Sequence, residues 1–317
     1  ISLDDSSAIH YRQRGVTQII SGTPTYGDLF LNNTGNVLQE KVADAALNIE
    51  GTLFIDDYAS LADSGFQIVG NANAGTEFEM DANSVLILGS ATTATTLPSF
   101  PARDWDQRST INYAAGVAQT IVSITGGGNT NSYGHLTVSN TSPSASLINK
   151  TLAGAIQVRR QLNILANNNL VDAGFQITGN NSGDDLVMEA NAQMTLGTPA
   201  SNTFFPTSYT NGNISLDVNS LVVYNSEMDQ DISSNPDYGN IQLSSSVGVV
   251  KSLTGNTDID GNLIIDSDNT LTTTASDFNI NIAGDWTNGG IFSANSGTVT
   301  FDGTATSTIA GSVVTDF

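Results

Sequence analysis

Cysteine is absent from the 317-residue chain, which rules out both a disulfide framework and a thiolate metal site. Basic residues are scarce: 9 Lys and Arg face 31 Asp and Glu, for a formal net charge of −22. Such a field repels phosphate backbones and anionic headgroups, so neither nucleic acid nor a membrane surface is an expected partner. Long apolar runs are missing too. None approaches the roughly 20 residues that span a bilayer as a helix, so membrane insertion is not expected. The opening ISLDDSSAIHY has neither the basic start nor the apolar stretch of a signal peptide, which places any targeting segment upstream.

Charged residues make up 13% of the chain, about half the share of an ordinary globular domain. Solubility therefore rests on uncharged polar groups, which cluster in blocks such as SATTATT at 90–96 and GGGNTNS at 126–132. Hydrophobic residues, at 39%, recur in short ordered patterns, which points to a packed core rather than disorder.

Those patterns repeat. YGDLFL begins at Tyr26, YGHLTV at Tyr133 and YGNIQL at Tyr238, spacings of 107 and 105 residues. SGFQIVGN at 64–71 returns as AGFQITGN at 173–180 and, more distantly, as SDFNINIAG at 276–284. MDANSVLILGS at 80–90 returns as MEANAQMTLGT at 188–198 and less closely as FSANSGTVTF at 292–301. The chain has three lysines, Lys41, Lys150 and Lys251, and each lies 12 residues before a matching leucine, Leu53, Leu162 or Leu263. This register gives the end of one repeat at 1–8, repeat 1 at 9–110, repeat 2 at 111–220, repeat 3 at 221–298 and the start of a fourth at 299–317. Segments 89–110 and 197–220 read as insertions that the third copy lacks.

Within each copy the apolar residues alternate. Leu29 and Leu31 flank Phe30, Leu136 and Val138 flank Thr137, and Ile241 and Leu243 flank Gln242. The flanking positions stay apolar while the middle one varies, as in a strand with one face in a core and one in water. Short strands between Gly, Asn and Asp turns imply an all-β fold. Two architectures fit: a parallel β-solenoid with about four or five coils per repeat, or tandem β-sandwich domains. The solenoid is preferred, because no Pro/Gly-rich linker divides the copies. Deleting a loop also leaves a solenoid core closed, whereas deleting strands opens a sandwich.

The order T-x-FP, STI-x-Y…Q-T-I, YG-x-L-x-V, K-x-L-x-G and NL-x-I resembles the long repeat regions of Bacteroidota surface proteins. Here these elements are TFFP at 203–206, STINYAAGVAQTI at 109–121, YGHLTV at 133–138, KSLTG at 251–255 and NLIID at 262–266. The resemblance implies export by type IX secretion and a place among cell-surface adhesins, gliding adhesins included. It further implies an extracellular stalk whose partners are neighbouring repeats of the same chain, surface glycans, or the secretion and gliding machinery.

Candidate sites are few, and no enzyme is expected. His135 occupies a slot filled by Asp28 and Asn240 in the sister copies, and His10 stands where Asn112 and Val223 stand, so neither slot requires chemistry. Arg159 and Arg160 are adjacent on a strand, point to opposite faces and read as solvated charges. Neither a serine triad nor a phosphate loop is present. The insertions carry Phe100 and Trp105 in one copy and Phe204, Phe205 and Tyr209 in the other. Their bland reading is an apolar flap over the solenoid flank; their sharper one is an exposed aromatic patch for a glycan or protein. Asp258, Asp260, Asp266 and Asp268 sit in oxygen-rich turns that suit calcium, although Asx turns account for them equally well, and no other cofactor is implied. The lysine column reads as structural, each amine holding a turn by bonding carbonyls or an acid.

Overall fold

The computed structural model describes residues 7–12, 15–73, 75–126, 131–142, 146–180 and 183–317. Most of the 1–8 tail and one of the basic residues near the start, Arg14, lie outside the described residues. Strand dominates, and the one helical segment among the described residues is a 3₁₀ turn at Asn211–Asn213. The fold is a parallel β-solenoid of about 13 turns. That excludes tandem sandwiches, which are built from antiparallel sheets. Two compact units divide the chain, Ile1–Asn163 and Ile164–Phe317.

In the first unit each turn lays one strand on each of three sheets. Asp28–Leu31, Leu53–Ile55, Glu77–Met80 and Ala102–Trp105 follow one another on the first sheet. Gln39–Ala43, Ala59–Ala62, Val85–Leu88, Thr110–Tyr113 and His135–Val138 do so on the second, and Thr25–Tyr26, Leu47–Ile49 and Ile68–Gly70 on the third. The register stacks equivalent positions: Leu29, Leu53 and Phe78 form one inward column, and Leu31, Ile55, Met80 and Trp105 the next. All of these apolar side chains are buried. Alternation of buried and half-exposed residues along Asp28–Leu31, Val85–Leu88 and His135–Val138 matches the pattern read from sequence. Each fully buried Leu or Ile contributes roughly 1.5–3 kcal/mol, and stacking makes the columns continuous within the unit.

The second unit is built the same way. Gln193–Leu196, Leu221–Tyr224, Asn240–Leu243, Leu263–Ile265 and Trp286–Asn288 share one sheet. Gln230–Ile232, Val249–Leu253, Asn269–Thr272 and Ile291–Ser293 share another, and Asp237–Tyr238, Thr257–Ile259, Ile280–Ile282 and Val299–Phe301 a third. The sharp corners explain much of the asparagine content. Asn83, Asn167, Asn191 and Asp268 hold φ values of 57°, 61°, 62° and 67° just before a strand. Asn and Asp tolerate this left-handed region better than most residues with a Cβ.

Successive copies do not superpose along one sheet. In the first unit Ala8–Tyr11 pairs with Asp28–Leu31 on the first sheet, yet its counterpart Thr110–Tyr113 lies on the second. The YG strand shifts likewise, from Asp28–Leu31 on the first sheet to His135–Val138 on the second. A copy is therefore about four turns plus one side, so each motif advances by one sheet per copy.

The expected insertions are integral turns rather than flaps. Ala102–Trp105 pairs in register with Glu77–Met80, and Ile214–Leu216 pairs with Asp185–Met188. A Cβ on Gly70 would meet Ser99 O at 2.5 Å, which places the intervening loop directly on the third-sheet strand Ile68–Gly70. The third copy does not omit these sides. Val299–Phe301 pairs with Ile280–Ile282, and Ile309–Ala310 with Trp286–Thr287, filling the same places with strand instead of a proline loop. The match of FSANSG to the earlier ANS strings misled the alignment: Ile291–Ser293 pairs with Asn269–Thr272 as Val85–Leu88 pairs with Ala59–Ala62, so Asn295 follows the strand that Asn83 precedes.

Replacing Leu53 by Ala leaves a void between Leu29 and Phe78, and the expected loss is about 2–5 kcal/mol in urea denaturation. Phe54→Thr, one residue along on the outward face, is expected to cost about 1 kcal/mol or less.

Candidate functional site

The chemistry that recurs from copy to copy is buried. Lys150 starts from an inward column, beside Gln119 on the neighbouring strand, and is fully buried. Its ammonium donates to Ala115 O at 2.5 Å, Gln119 Oε1 at 3.0 Å and Val117 O at 3.4 Å. Gln119 passes the chain on, donating Nε2 to Thr95 O at 2.9 Å and Leu88 O at 3.1 Å. Thr95 in turn donates its hydroxyl to Asp63 Oδ2, while Asp63 Oδ1 accepts from Gly65 N at 2.8 Å and Gly89 N at 2.7 Å. Asp63, Thr95, Gln119 and Lys150 thus form one polar brace through the first unit.

The second unit repeats it, except that among the described residues Lys251 lacks the third carbonyl contact that Lys150 makes to Val117. Lys251 donates to Ser226 O at 2.8 Å and Gln230 Oε1 at 2.9 Å, and Gln230 donates to Thr203 O at 2.8 Å and Leu196 O at 3.2 Å. Thr203 closes on Asp172, whose Oδ1 accepts from Gly174 N at 2.8 Å and Gly197 N at 2.9 Å. Glycine is required at 89 and 197, where φ is 99° and 88° and a Cβ would meet Ala115 or Ser226 within 3 Å. Where the third copy replaces the proline loop by a strand, Thr273 stands in place of the aspartate and donates to Ala294 O at 2.5 Å. Near the start, Lys41 pairs in register with Gln18 and is equally buried, but its amine has no hydrogen-bond partner among the described residues.

Paired tyrosines accompany each brace. Tyr113 and Tyr133 meet hydroxyl to hydroxyl at 3.0 Å, and Tyr133 donates to Val122 O at 2.7 Å. Tyr224 and Tyr238 meet at 2.6 Å, and Tyr238 donates to Ser233 O at 2.8 Å. Burial governs all these groups. It pulls Lys150 and Lys251 down to about 8, raises Asp63 and Asp172 against the opposing pull of their hydrogen bonds, and pushes Tyr113 up to about 12.

The aromatic candidates do not form a common exposed patch. Phe100, Trp105, Phe205 and Tyr209 are buried, and Phe204 alone is exposed, at 49%. Trp105 packs edge-on to Phe78 at 5.3 Å and Phe205 to Tyr238 at 5.9 Å, so these rings belong to the core of integral turns and not to a flap. Asp258, Asp260, Asp266 and Asp268 do not converge, and among the described residues no group of three or more His, Asp or Glu is placed to hold a metal ion. Asp266 accepts from Gln242 Nε2 at 2.8 Å, and its carbonyl takes part in the turn that Asn269 Nδ2 holds at 3.3 Å.

Arg159 corrects its expectation as a solvated charge. It is buried and donates to Trp105 O at 2.9 Å, while Arg160 is exposed. His10 stacks on Phe30 with centroids 4.6 Å apart, and His135 is half-buried on its strand. Lys150 and Lys251 bond carbonyls, one of the two options read from sequence, whereas among the described residues Lys41 does not. Missed entirely were Asp63, Asp172, Thr95, Thr203, Gln119 and Gln230; the available signal was a polar residue recurring at an inward position.

No family model matches the chain, and comparisons with curated proteins and with solved structures find no match.

Asp63→Ala orphans two glycine amides and the Thr95 hydroxyl, so it is expected to cost about 3 kcal/mol or more by urea denaturation, against about 1 kcal/mol for Thr273→Ala. The lysines predict a pH effect. An amine held below its unfolded value is a liability at neutral pH that is relieved as pH rises from about 8 to about 10.4. Raised carboxyls act oppositely, adding stability at acid pH that is lost as pH climbs through their folded values. The urea midpoint is therefore expected to be lowest near neutrality and higher at about pH 9.5 and about pH 4.5, with Lys150→Met removing part of the alkaline gain.

Proposed function

We propose that the chain is a structural and adhesive repeat module of a long secreted bacterial surface protein, acting as a stiff extracellular stalk in adhesion or gliding. The observation that carries this reading is the recurrence of one buried brace and one set of stacked columns from copy to copy. Among the described residues no unique polar constellation interrupts it. A module whose distinctive chemistry is turned inward is suited to bearing load and projecting other parts of a protein. Negative charge and abundant Ser, Thr and Asn suit an exposed surface, and among the described residues no helix is long and apolar enough to cross a membrane. The resemblance to Bacteroidota type IX-secreted adhesins supports the same reading and suggests surface glycans or the secretion and gliding machinery as partners.

A row of carboxylates supports a second reading, an extracellular β-helix that binds or degrades polysaccharide. Glu79 faces Asp104 on the adjacent strand, and burial together with neighbours such as Glu77, Asp56 and Asp57 raises Glu79 and Asp81. Stacking like residues in a solenoid produces such rows without selection for chemistry, and Arg108 on their flank is already paired with Asp106 at 3.3 Å.

Antibody raised against this chain is expected to label intact cells of the source organism. Labelling seen only after permeabilisation would contradict the surface reading. Incubation with neutral and acidic polysaccharides is expected to release no new reducing ends; release abolished by Glu79→Gln would favour the second reading.

A further inference from the structure

The two proline loops are built to one plan, and one of them carries a surface feature that the other lacks. Thr95 and Thr203 both close on an aspartate. Thr96 N and Phe204 N both donate to a glutamine Oε1, that of Gln67 at 2.9 Å and Gln176 at 3.3 Å. Leu97 and Phe205 are both buried, and Phe100 and Tyr209 both lie against a glycine, Gly70 and Gly179. The difference lies at the exposed position, where the first loop has Thr96 and the second a phenyl ring.

Phe204 borders a groove of about 320 Å³ within the second unit, alongside Tyr209, Asp231, Ser233, Asn235 and Thr254. Asp231 is the outward residue of Gln230–Ile232, exposed between two buried neighbours, and no hydrogen bond engages its carboxylate among the described residues. Asn235 is fixed by donating Nδ2 to Tyr209 O at 2.7 Å, which leaves its Oδ1 unused as an acceptor. Ser208, at φ 66°, holds the loop in a left-handed turn beside them. The groove thus combines one flat apolar ring with a rim of hydrogen-bond acceptors.

We propose that this groove binds a neutral hexopyranose, the C–H face of the sugar lying on Phe204 and its hydroxyls donating to the Asp231 carboxylate and Asn235 Oδ1. A pyranose offers that complement: one apolar face and a periphery of O–H donors. The carboxylate, within a chain of net charge −22, disfavours uronates, sulfated sugars and phosphates. The proposal rests on this groove alone and does not depend on the stalk reading.

Saturation-transfer NMR on the whole chain tests it, with methyl glucoside, galactoside and mannoside as probes and methyl glucuronoside as the charged control. Transfer to the ring-face protons of at least one neutral glycoside is expected. Phe204→Thr, which copies the first loop, and Asp231→Ala are each expected to weaken that binding about tenfold or more. Both residues are exposed, so unfolding should not accompany either change, and an unaltered melting curve checks this. Absence of transfer to every neutral glycoside, equal transfer in both variants, or preference for the glucuronoside would overturn the proposal.

Discussion

A coil that stacks on itself sets residue over residue, so a polar group turned inward meets another turn of chain and not water. Whatever it needs must be supplied along the stack. The brace meets that constraint. Its two ionisable ends, Asp63 and Lys150, do not touch; Thr95 and the Gln119 amide link them. Thr95 donates its hydroxyl to the aspartate and accepts from the amide at its backbone carbonyl, and the amide oxygen accepts from the ammonium. The ammonium is held by neutral oxygens instead of a counter-ion, which is why burial lowers it so far. Hydrophobic columns supply most of the stabilisation, but they would tolerate a slip of register. A hydrogen-bonded chain whose members come from separate turns does not.

Because a copy exceeds whole turns by one side, identical motifs occupy neighbouring sheets in successive copies. Within the first unit the step is visible in Ala8–Tyr11 and Thr110–Tyr113. No single sheet can then accumulate an uninterrupted row of one outward residue over several copies. Contiguous apolar faces favour association with other molecules, and the shift breaks such rows up. The outward residues are left free to diverge, as Thr96 and Phe204 have done, while inward ones are held.

Strands were legible in the sequence because period-two alternation survives in each copy; Leu29 and Leu31, Leu136 and Val138, and Ile241 and Leu243 all lie inward as read. Parallel stacking was legible from the absence of linkers. The corners were not. Asn-rich turns look alike on either side of a strand, so Asn295 was matched to Asn83 and Asn191 and a whole side of the solenoid was counted as missing. Burial of polar residues was equally opaque: the lysine column read as structural, but its acceptors, brought in from other turns, could not be named from the sequence. Arg159 hid for the same reason, its acceptor lying 54 residues away.

The brace is held to be one connected unit, and a double-mutant cycle between Asp63→Ala and Gln119→Leu measures that connection directly, since both side chains act on Thr95 without touching each other. The account predicts that the double variant loses less than the two single losses combined, by about 1 kcal/mol or more. Strict additivity would mean that the two contacts are independent and that no brace spans the turns.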